Sequence, residues 1–524
     1  MSESATIHPP LLDPIFAELE KYAGDAAHYD PSATDDRPTY GTTVFLAETK
    51  VPTRYGLFVG YIFQDIIQKG YIIALAHGDI HSDDPLHTRM HSSCVTSETL
   101  RGCDCDCVQQ LEGAIKRISE VGRGVLFYLL QEGRGVGYTA KARDRMLVQA
   151  SRDRLSTFEA YAMLGLKKDY RQYLNVADIV KILRIKASWI ILTNNPDKVE
   201  AMQQNGLTVE RTETLEYEPE PFNLFYLQSK ADSGHFLKRP LLSALRSVQP
   251  PEPVIPFKPR VLESAERFIY MASYFLPIRP IANEILLTTA EMEDLFPNHG
   301  IEAHMRLPDR VVHSYRIIRN NRVLIKIDYE RLKAMSESDA ENPLVDLLYK
   351  PYWFRVHVYY DVVSGHDIVV LTHGKAHSYD VPVVRIQSES ILNRFPVMVD
   401  DNKAKYMKSV QHIVEYGVGC IVLVYQDGRG AGFGALAIDR MMLERGRSYS
   451  TAESYAKLGV EFDQRDYERI FSVLRAHLRS SKVKMVVNSP RSLVAKGDYG
   501  AAIREQDLEV VEWIFLDSAP NASA

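Results

Sequence analysis

Four of the chain's five cysteines, Cys94, Cys103, Cys105 and Cys107, fall within 14 residues, and Cys420 stands alone far downstream. A disulfide-stapled chain spreads its cysteines, whereas a tight cluster in a reducing compartment points to metal binding or redox chemistry. Side chains two apart on extended backbone share a face, so Cys105 and Cys107 can reach one ion. With Cys94 closing from the preceding segment, three thiolates leave the fourth tetrahedral position of a zinc to water, the arrangement of a catalytic site. Such a zinc lowers the pKa of its water toward ~7. Two other readings stand beside this one: a closed structural zinc that also uses Cys103, and redox-active thiols.

A second candidate is Gln131-Glu132-Gly133-Arg134-Gly135-Val136-Gly137. Its glycines let backbone amides approach an anion, and Arg134 can grip a phosphate in bidentate fashion. It lacks the Gly-Lys-Ser/Thr of a P-loop, so alone it reads equally well as a tight turn. Asp169 and Arg171 fit a surface ion pair, and His91 alone fits a structural histidine.

These residues need strands and helices to hold them. Gly124-Val125-Leu126-Phe127-Tyr128-Leu129-Leu130 is a short continuous apolar run, as a buried strand requires, and it leads straight into the glycine turn. Upstream, Leu111, Ala114, Ile115 and Ile118 follow helical spacing, with Gly122 as a stop. Trp189-Ile190-Ile191-Leu192 reads as another buried strand. The alternation of strand and helix patterns gives an α/β or mixed α+β fold.

The unit occurs twice. The glycine turn returns as Gln426-Asp427-Gly428-Arg429-Gly430-Ala431-Gly432, 295 residues later, after a second apolar run, Cys420-Ile421-Val422-Leu423-Val424-Tyr425. Ser156-Thr157 returns as Ser450-Thr451, Asp169-Tyr170-Arg171 as Asp463-Gln464-Arg465, and Asn194-Asn195-Pro196 as Asn488-Ser489-Pro490. A period that long marks a duplicated domain. The expected organisation is an extension over 1–40, a first domain over 41–240 and a Pro-rich connector over 241–262. An inserted segment over 263–345, with a strand near 322–327, a second domain over 346–518 and a tail over 519–524 complete it.

At 524 residues the chain has room for several domains, and its composition is that of a globular protein: 45% hydrophobic and 25% charged. A net charge of −6 supplies no electrostatic footprint for nucleic acid. Apolar runs are far shorter than the ~18 residues of a membrane span, and no secretory signal is visible at Met1. A cytoplasmic protein without membrane or nucleic-acid partners is expected.

Together, Arg89-Met90-His91-Ser92-Ser93-Cys94, Cys105-Asp106-Cys107 with Gln110, the Gln131-Glu132-Gly133-Arg134 turn and Thr193-Asn194-Asn195-Pro196 closely resemble GTP cyclohydrolase II, over about residues 40 to 240. The resemblance implies opening of the imidazole ring of GTP by water attacking C8 at a zinc. Pyrophosphate and formate leave, and the product is the diaminopyrimidine that begins riboflavin synthesis. It implies zinc on Cys94, Cys105 and Cys107, and magnesium with the triphosphate. It places Arg89, Met90, His91, Ser92, Ser93, Gln110, Glu132, Gly133, Arg134, Thr157, Thr193 and Lys198 against GTP. Asp169 takes the family's proton-acceptor position. Arg171 takes the position described as a nucleophile, although a guanidinium more naturally stabilises phosphate charge.

Three departures stand out. Ser93 replaces a family Glu, Asp104 replaces a family Arg, and Arg145 occupies the position of a tyrosine tied to removal of the formyl group. Arg145 is therefore the candidate catalytic position at which the product becomes a formamidopyrimidine instead. The second copy has lost its metal ligands: Ser390 aligns with Cys94, Asp401 and Lys403 fall where cysteines are needed, and Ser492 replaces Lys198. Arg429, Asp463 and Arg465 remain. The degenerate copy is expected to complete a pseudo-dimer within the chain, in place of the family's homodimer, ahead of a regulatory nucleotide site. The alternatives for the whole chain are ring opening of another purine nucleotide in a specialised pathway and a non-catalytic, zinc-stabilised nucleotide-binding scaffold.

Overall fold

The computed structural model describes residues 39–217, 219–235, 248–297, 300–306, 310–398, 401–490 and 499–517. The expected extension and tail, and Ser492, lie outside them, apart from the first strand's two residues.

Two eight-stranded mixed sheets repeat one strand order. The first runs β1 (Thr39–Tyr40), β2 (Thr43–Thr53), β3 (Gly56–Asp65), β4 (Tyr71–His77), β6 (Gly124–Leu129), β5 (Leu86–Ser92), β7 (Trp189–Leu192), β8 (Val209–Glu213). Neighbours are antiparallel as far as β6 and parallel beyond it. The second runs β9 (Arg260–Leu262), β10 (Ala265–Ile278), β14 (Tyr352–Asp361), β15 (Asp367–His373), β17 (Gly419–Val424), β16 (Val383–Ser388), β18 (Lys482–Val487), β19 (Glu509–Phe515). The mixed α/β class read from the sequence holds. Every residue of β6 and of β17 is buried, which is why both runs are continuously apolar. The Cys107–Val121 helix buries Leu111, Ala114, Ile115 and Ile118 and stops at Gly122, whose φ of 88° closes it in the left-handed region.

One expectation is corrected. Residues 263–278 belong to the second sheet, where β10 pairs with β14 along its length as β2 pairs with β3. What interrupts the second copy follows β10. The first copy joins β2 to β3 through the Arg54-Tyr55 turn, whereas the second places between β10 and β14 a three-stranded sheet of β11 (Glu284–Leu287), β13 (Val323–Ile327) and β12 (Val312–Ile317). That sheet has its own core, including Ile285, Leu287, Ile325 and Leu332. The proline-rich stretch from 248 to 259 forms neither helix nor strand, and its Val254 packs into the main core.

The copies are packed about a pseudo-two-fold. The Tyr138–Ala150 helix of the first lies on β10, and the Phe433–Glu444 helix of the second lies on β2. One core joins Val95, Leu100, Tyr138 and Met146 to Tyr274, Leu276 and Phe354; another joins Val51, Phe58 and Tyr128 to Ile391, Phe395 and Phe433. Removing a side chain such as Phe395, 0% exposed, costs about 3–5 kcal/mol in a core of this kind. Among the described residues no helix is long and apolar enough to cross a membrane.

Candidate functional site

Cys94 ends the strand-to-turn segment after β5, and Cys105 and Cys107 enter the Cys107–Val121 helix. Their sulfurs all lie within 4.8 Å of one another, Cys94 and Cys105 at 3.7 Å. Tetrahedral Zn–S bonds of about 2.3 Å set two sulfurs roughly 3.8 Å apart, so the trio fits a zinc ion. Hydrogen bonds from Cys105 and Cys107, with the Lys141 ammonium 3.0 Å away, hold the Cys94 thiol well below its usual pKa. Cys103 is not in this group: it lies against Arg279, and burial pushes its thiol up to about 12. The four-sulfur alternative therefore lacks its fourth sulfur.

Next to the sulfurs is a cavity of about 110 Å³ lined by Arg89, His91, Ser92, Cys107, Gln110, Arg171, Thr193 and Lys198. Eight of the residues singled out in the sequence thus meet at one place. Parallel β5 and β7 bring Arg89 and His91 beside Thr193, and Asn195 caps the Pro196–Gln204 helix that carries Lys198. Arg89 donates to the Leu192 carbonyl at 2.7 Å, and Lys198 donates to the Met90 carbonyl at 2.8 Å. Neither cation has a carboxylate partner among the described residues. Burial, then the nearby Arg89, Arg171 and Lys230 charges, push the Lys198 pKa well down. Arg89 Nε and His91 Nδ1 are buried without hydrogen-bond partners among the described residues. Buried donors and crowded cations of this kind call for an anionic ligand.

The other expected contacts stand around this cavity. Glu132 bonds Lys141 at 2.7 Å and the Val95 amide at 2.8 Å, and burial raises its pKa to about 7. Gly133 and Arg134 adopt φ of 57° and 56°, a left-handed pair that is costly for Arg134. A Cβ on Gly135 would sit 2.9 Å from the Tyr170 backbone, so the turn needs glycine to pack on the Asp169-Tyr170-Arg171 segment. Arg134 stacks on Phe158 at 4.0 Å, beside the helix begun by Thr157. Asp169 and Arg171 form a bidentate pair that keeps the carboxyl below its ordinary range despite burial. Ser93 is buried, its amide donating to Leu129 O. Arg145 does not line the cavity: it pairs with Asp104 at 3.5 Å and lies over Tyr226.

Sequence reasoning missed Asn194 and Asn195 as lining residues, and missed Tyr226, Lys230 and His235 altogether. The last three come from the Leu224–Asp232 helix and the turn after it, which the Lys230–Asp106 pair at 2.6 Å pins over the site. A lysine and a tyrosine at helical spacing were the only available signal.

From the second copy, Arg394 bonds Glu389 at 2.7 Å and the Tyr128 hydroxyl at 3.1 Å. Tyr128 donates to Glu98 at 2.5 Å, and Glu98 holds His91 Nε2 at 2.8 Å. A buried polar chain thus runs from one copy to the cavity of the other.

A family model described as GTP cyclohydrolase II matches residues 44–214 and again residues 347–512. The GTP cyclohydrolase-2 of Histophilus somni (strain 2336) is 41% identical over 195 residues, which cover 37% of this chain and 88% of that protein. That of Aeromonas hydrophila is 39% identical over 199 residues, 38% of this chain and 99% of its own length. The Proteus mirabilis protein is 40% identical over 193 residues, 37% and 95% respectively.

Proposed function

From the premise that the chain belongs to the GTP cyclohydrolase II family, as a tandem pair and a GTP cyclohydrolase II-like hydrolase, we propose that its first copy opens the imidazole ring of GTP at C8, releases pyrophosphate and retains the formyl group. One water adds at C8 as the C8–N9 bond breaks, and a second cleaves the anhydride between the α- and β-phosphates. The products are a formamidopyrimidine ribosyl phosphate and pyrophosphate.

The observation that carries this reading is the placing of Arg89 and Lys198, buried and without a carboxylate partner among the described residues, beside three clustered thiols. Cys94, Cys105 and Cys107 would hold a zinc ion, which supplies a water activated for attack at neutral pH. Arg89, Arg171 and Lys198 would take the triphosphate, which magnesium accompanies. Arg171 acts as a fixed cation: against the effect of burial, the Asp169 carboxylate bonded to it holds its proton firmly, which does not suit a nucleophile. His91, held at Nε2, would offer Nδ1 to the substrate. Ser93 and Gln110 shape the base end, and Gly133, Arg134 and Thr157 form the outer phosphate wall. The formyl group stays because Arg145 is tied to Asp104, outside the cavity. This chemistry suits the pathway to riboflavin or one branching from it, in the cytoplasm.

Incubation of the zinc-loaded chain with GTP, followed by mass spectrometry and formate assay, tests the proposal. The expected products are the formamide and pyrophosphate without stoichiometric formate. Intact GTP would overturn ring opening, and one formate per turnover would overturn formyl retention.

A further inference from the structure

A cavity of about 320 Å³ opens beside β16 in the second copy, at the place corresponding to the first copy's candidate site. Its metal end is gone: Ser390 stands where the first copy has Cys94, and Leu436 where it has Lys141. Its anion end is assembled more fully than in the first copy. Arg385, Arg429, Thr451 and Arg465, which correspond to Arg89, Arg134, Thr157 and Arg171, all line this one space, whereas only Arg89 and Arg171 line the first cavity. The first cavity is narrowed by Tyr226 and Lys230, and among the described residues no helix follows β19 to do the same here.

Two further observations point to an occupant. The strained turn is kept, Gly428 and Arg429 holding φ of 58° and 56°, and a Cβ on Gly430 would fall 2.7 Å from the Gln464 backbone. A costly backbone state persists only when its surroundings over-determine it, and such states cluster at ligand clamps. Asp439 Oδ1 and the Tyr455 hydroxyl also line the cavity without hydrogen-bond partners among the described residues, while Asp439 Oδ2 accepts from Thr451 at 3.2 Å; Asp439 is 3% exposed and Tyr455 1%. Glu389, which also lines the cavity, accepts from Thr99 of the first copy at 2.5 Å. The space therefore joins three guanidinium groups to buried polar atoms left without partners among the described residues.

We propose that the second copy binds an intact nucleotide, with its phosphate chain on Arg385, Arg429 and Arg465. Without thiolates it leaves that nucleotide unchanged, and it does so beside the interface with the catalytic copy.

Equilibrium dialysis of the full-length, zinc-loaded chain with 7-deaza-GTP tests this, because carbon at position 7 removes the amidine that ring opening requires. Two equivalents per chain are expected, falling to one in Arg429→Ala/Arg465→Ala and to one in Arg134→Ala/Arg171→Ala. A single equivalent that only the first-copy variant removes would overturn the second site while leaving the proposed function standing. A single equivalent that only the second-copy variant removes would do the reverse. Absence of binding to the native chain would overturn both. Circular dichroism of each variant separates a lost site from a lost fold.

Discussion

Asp104 and Arg145 are partners. The Arg145 Nε lies 3.5 Å from Asp104 Oδ2, and both side chains are buried. The family resemblance leads one to expect an Arg and a Tyr at these two positions, and the pairing makes one exchange of charge of those two expected departures. Asp104 brings no loose negative charge to the sulfur cluster, because Arg145 neutralises it.

Arg145→Tyr alone, which restores the family residue, leaves the Asp104 carboxylate buried and unpaired. A loss of about 3–5 kcal/mol in unfolding free energy is expected. The double variant Asp104→Asn/Arg145→Met should recover most of it. Urea titrations of the three proteins check this, and additive losses would argue against a coupled pair.

Lys198→Met separates substrate binding from metal binding. Lys198 donates to the Met90 carbonyl, whereas the ammonium that bonds a sulfur is that of Lys141. The KM for GTP should rise at least about tenfold, roughly 1.4 kcal/mol of lost binding, with zinc content unchanged. Steady-state kinetics with metal analysis on the same sample decides it.

The second copy supports the first through Arg394, which is buried beside Glu389 and Tyr128. Arg394→Met strands Glu389 and loosens the Tyr128–Glu98–His91 chain. Lower thermal stability and lower kcat are both expected, with Arg394→Lys restoring part of the activity. Native kinetics in Arg394→Met would show that this polar chain does not support the first copy's chemistry.

Buried His477 and half-buried His357 and His373 set an acid limit. Burial lowers His373 and His477 to about 4 and holds His357 well below its ordinary value. In the unfolded chain each takes up a proton near its ordinary value of ~6.5, while the folded protein keeps them neutral. Their contribution is fully present above that value and is lost as pH falls from about 6.5 toward 4. Unfolding free energy should decline across that window, and His477→Phe should flatten the slope while removing the 2.9 Å bond to the Tyr359 hydroxyl. A pH series of chemical denaturations measures both.

Local features of the fold were legible because they rest on local physics. The apolar runs of β6 and β17, the Gly122 stop and the repeated glycine turns all follow from burial and backbone geometry. What escaped depended on distant partners. Residues 265–278 resemble nothing at the expected offset, yet β14 recruits them as the counterpart of β2. The sulfur trio was readable from spacing, but the exclusion of Cys103 needed Arg279, 176 positions away in the chain. Tyr226 and Lys230 reach the cavity only because Asp106 anchors their helix. The Asp104–Arg145 pair shows the same limit: each residue was noticed, but not that they meet.

The most direct test pairs the native chain with Cys105→Ser, metal quantified and GTP supplied to each. The expected result is one zinc per native chain with conversion of GTP to a ring-opened product, and neither in the variant. A native chain that holds zinc yet leaves GTP intact, or a variant that still opens the ring, would contradict a thiolate-held metal as the source of the chemistry.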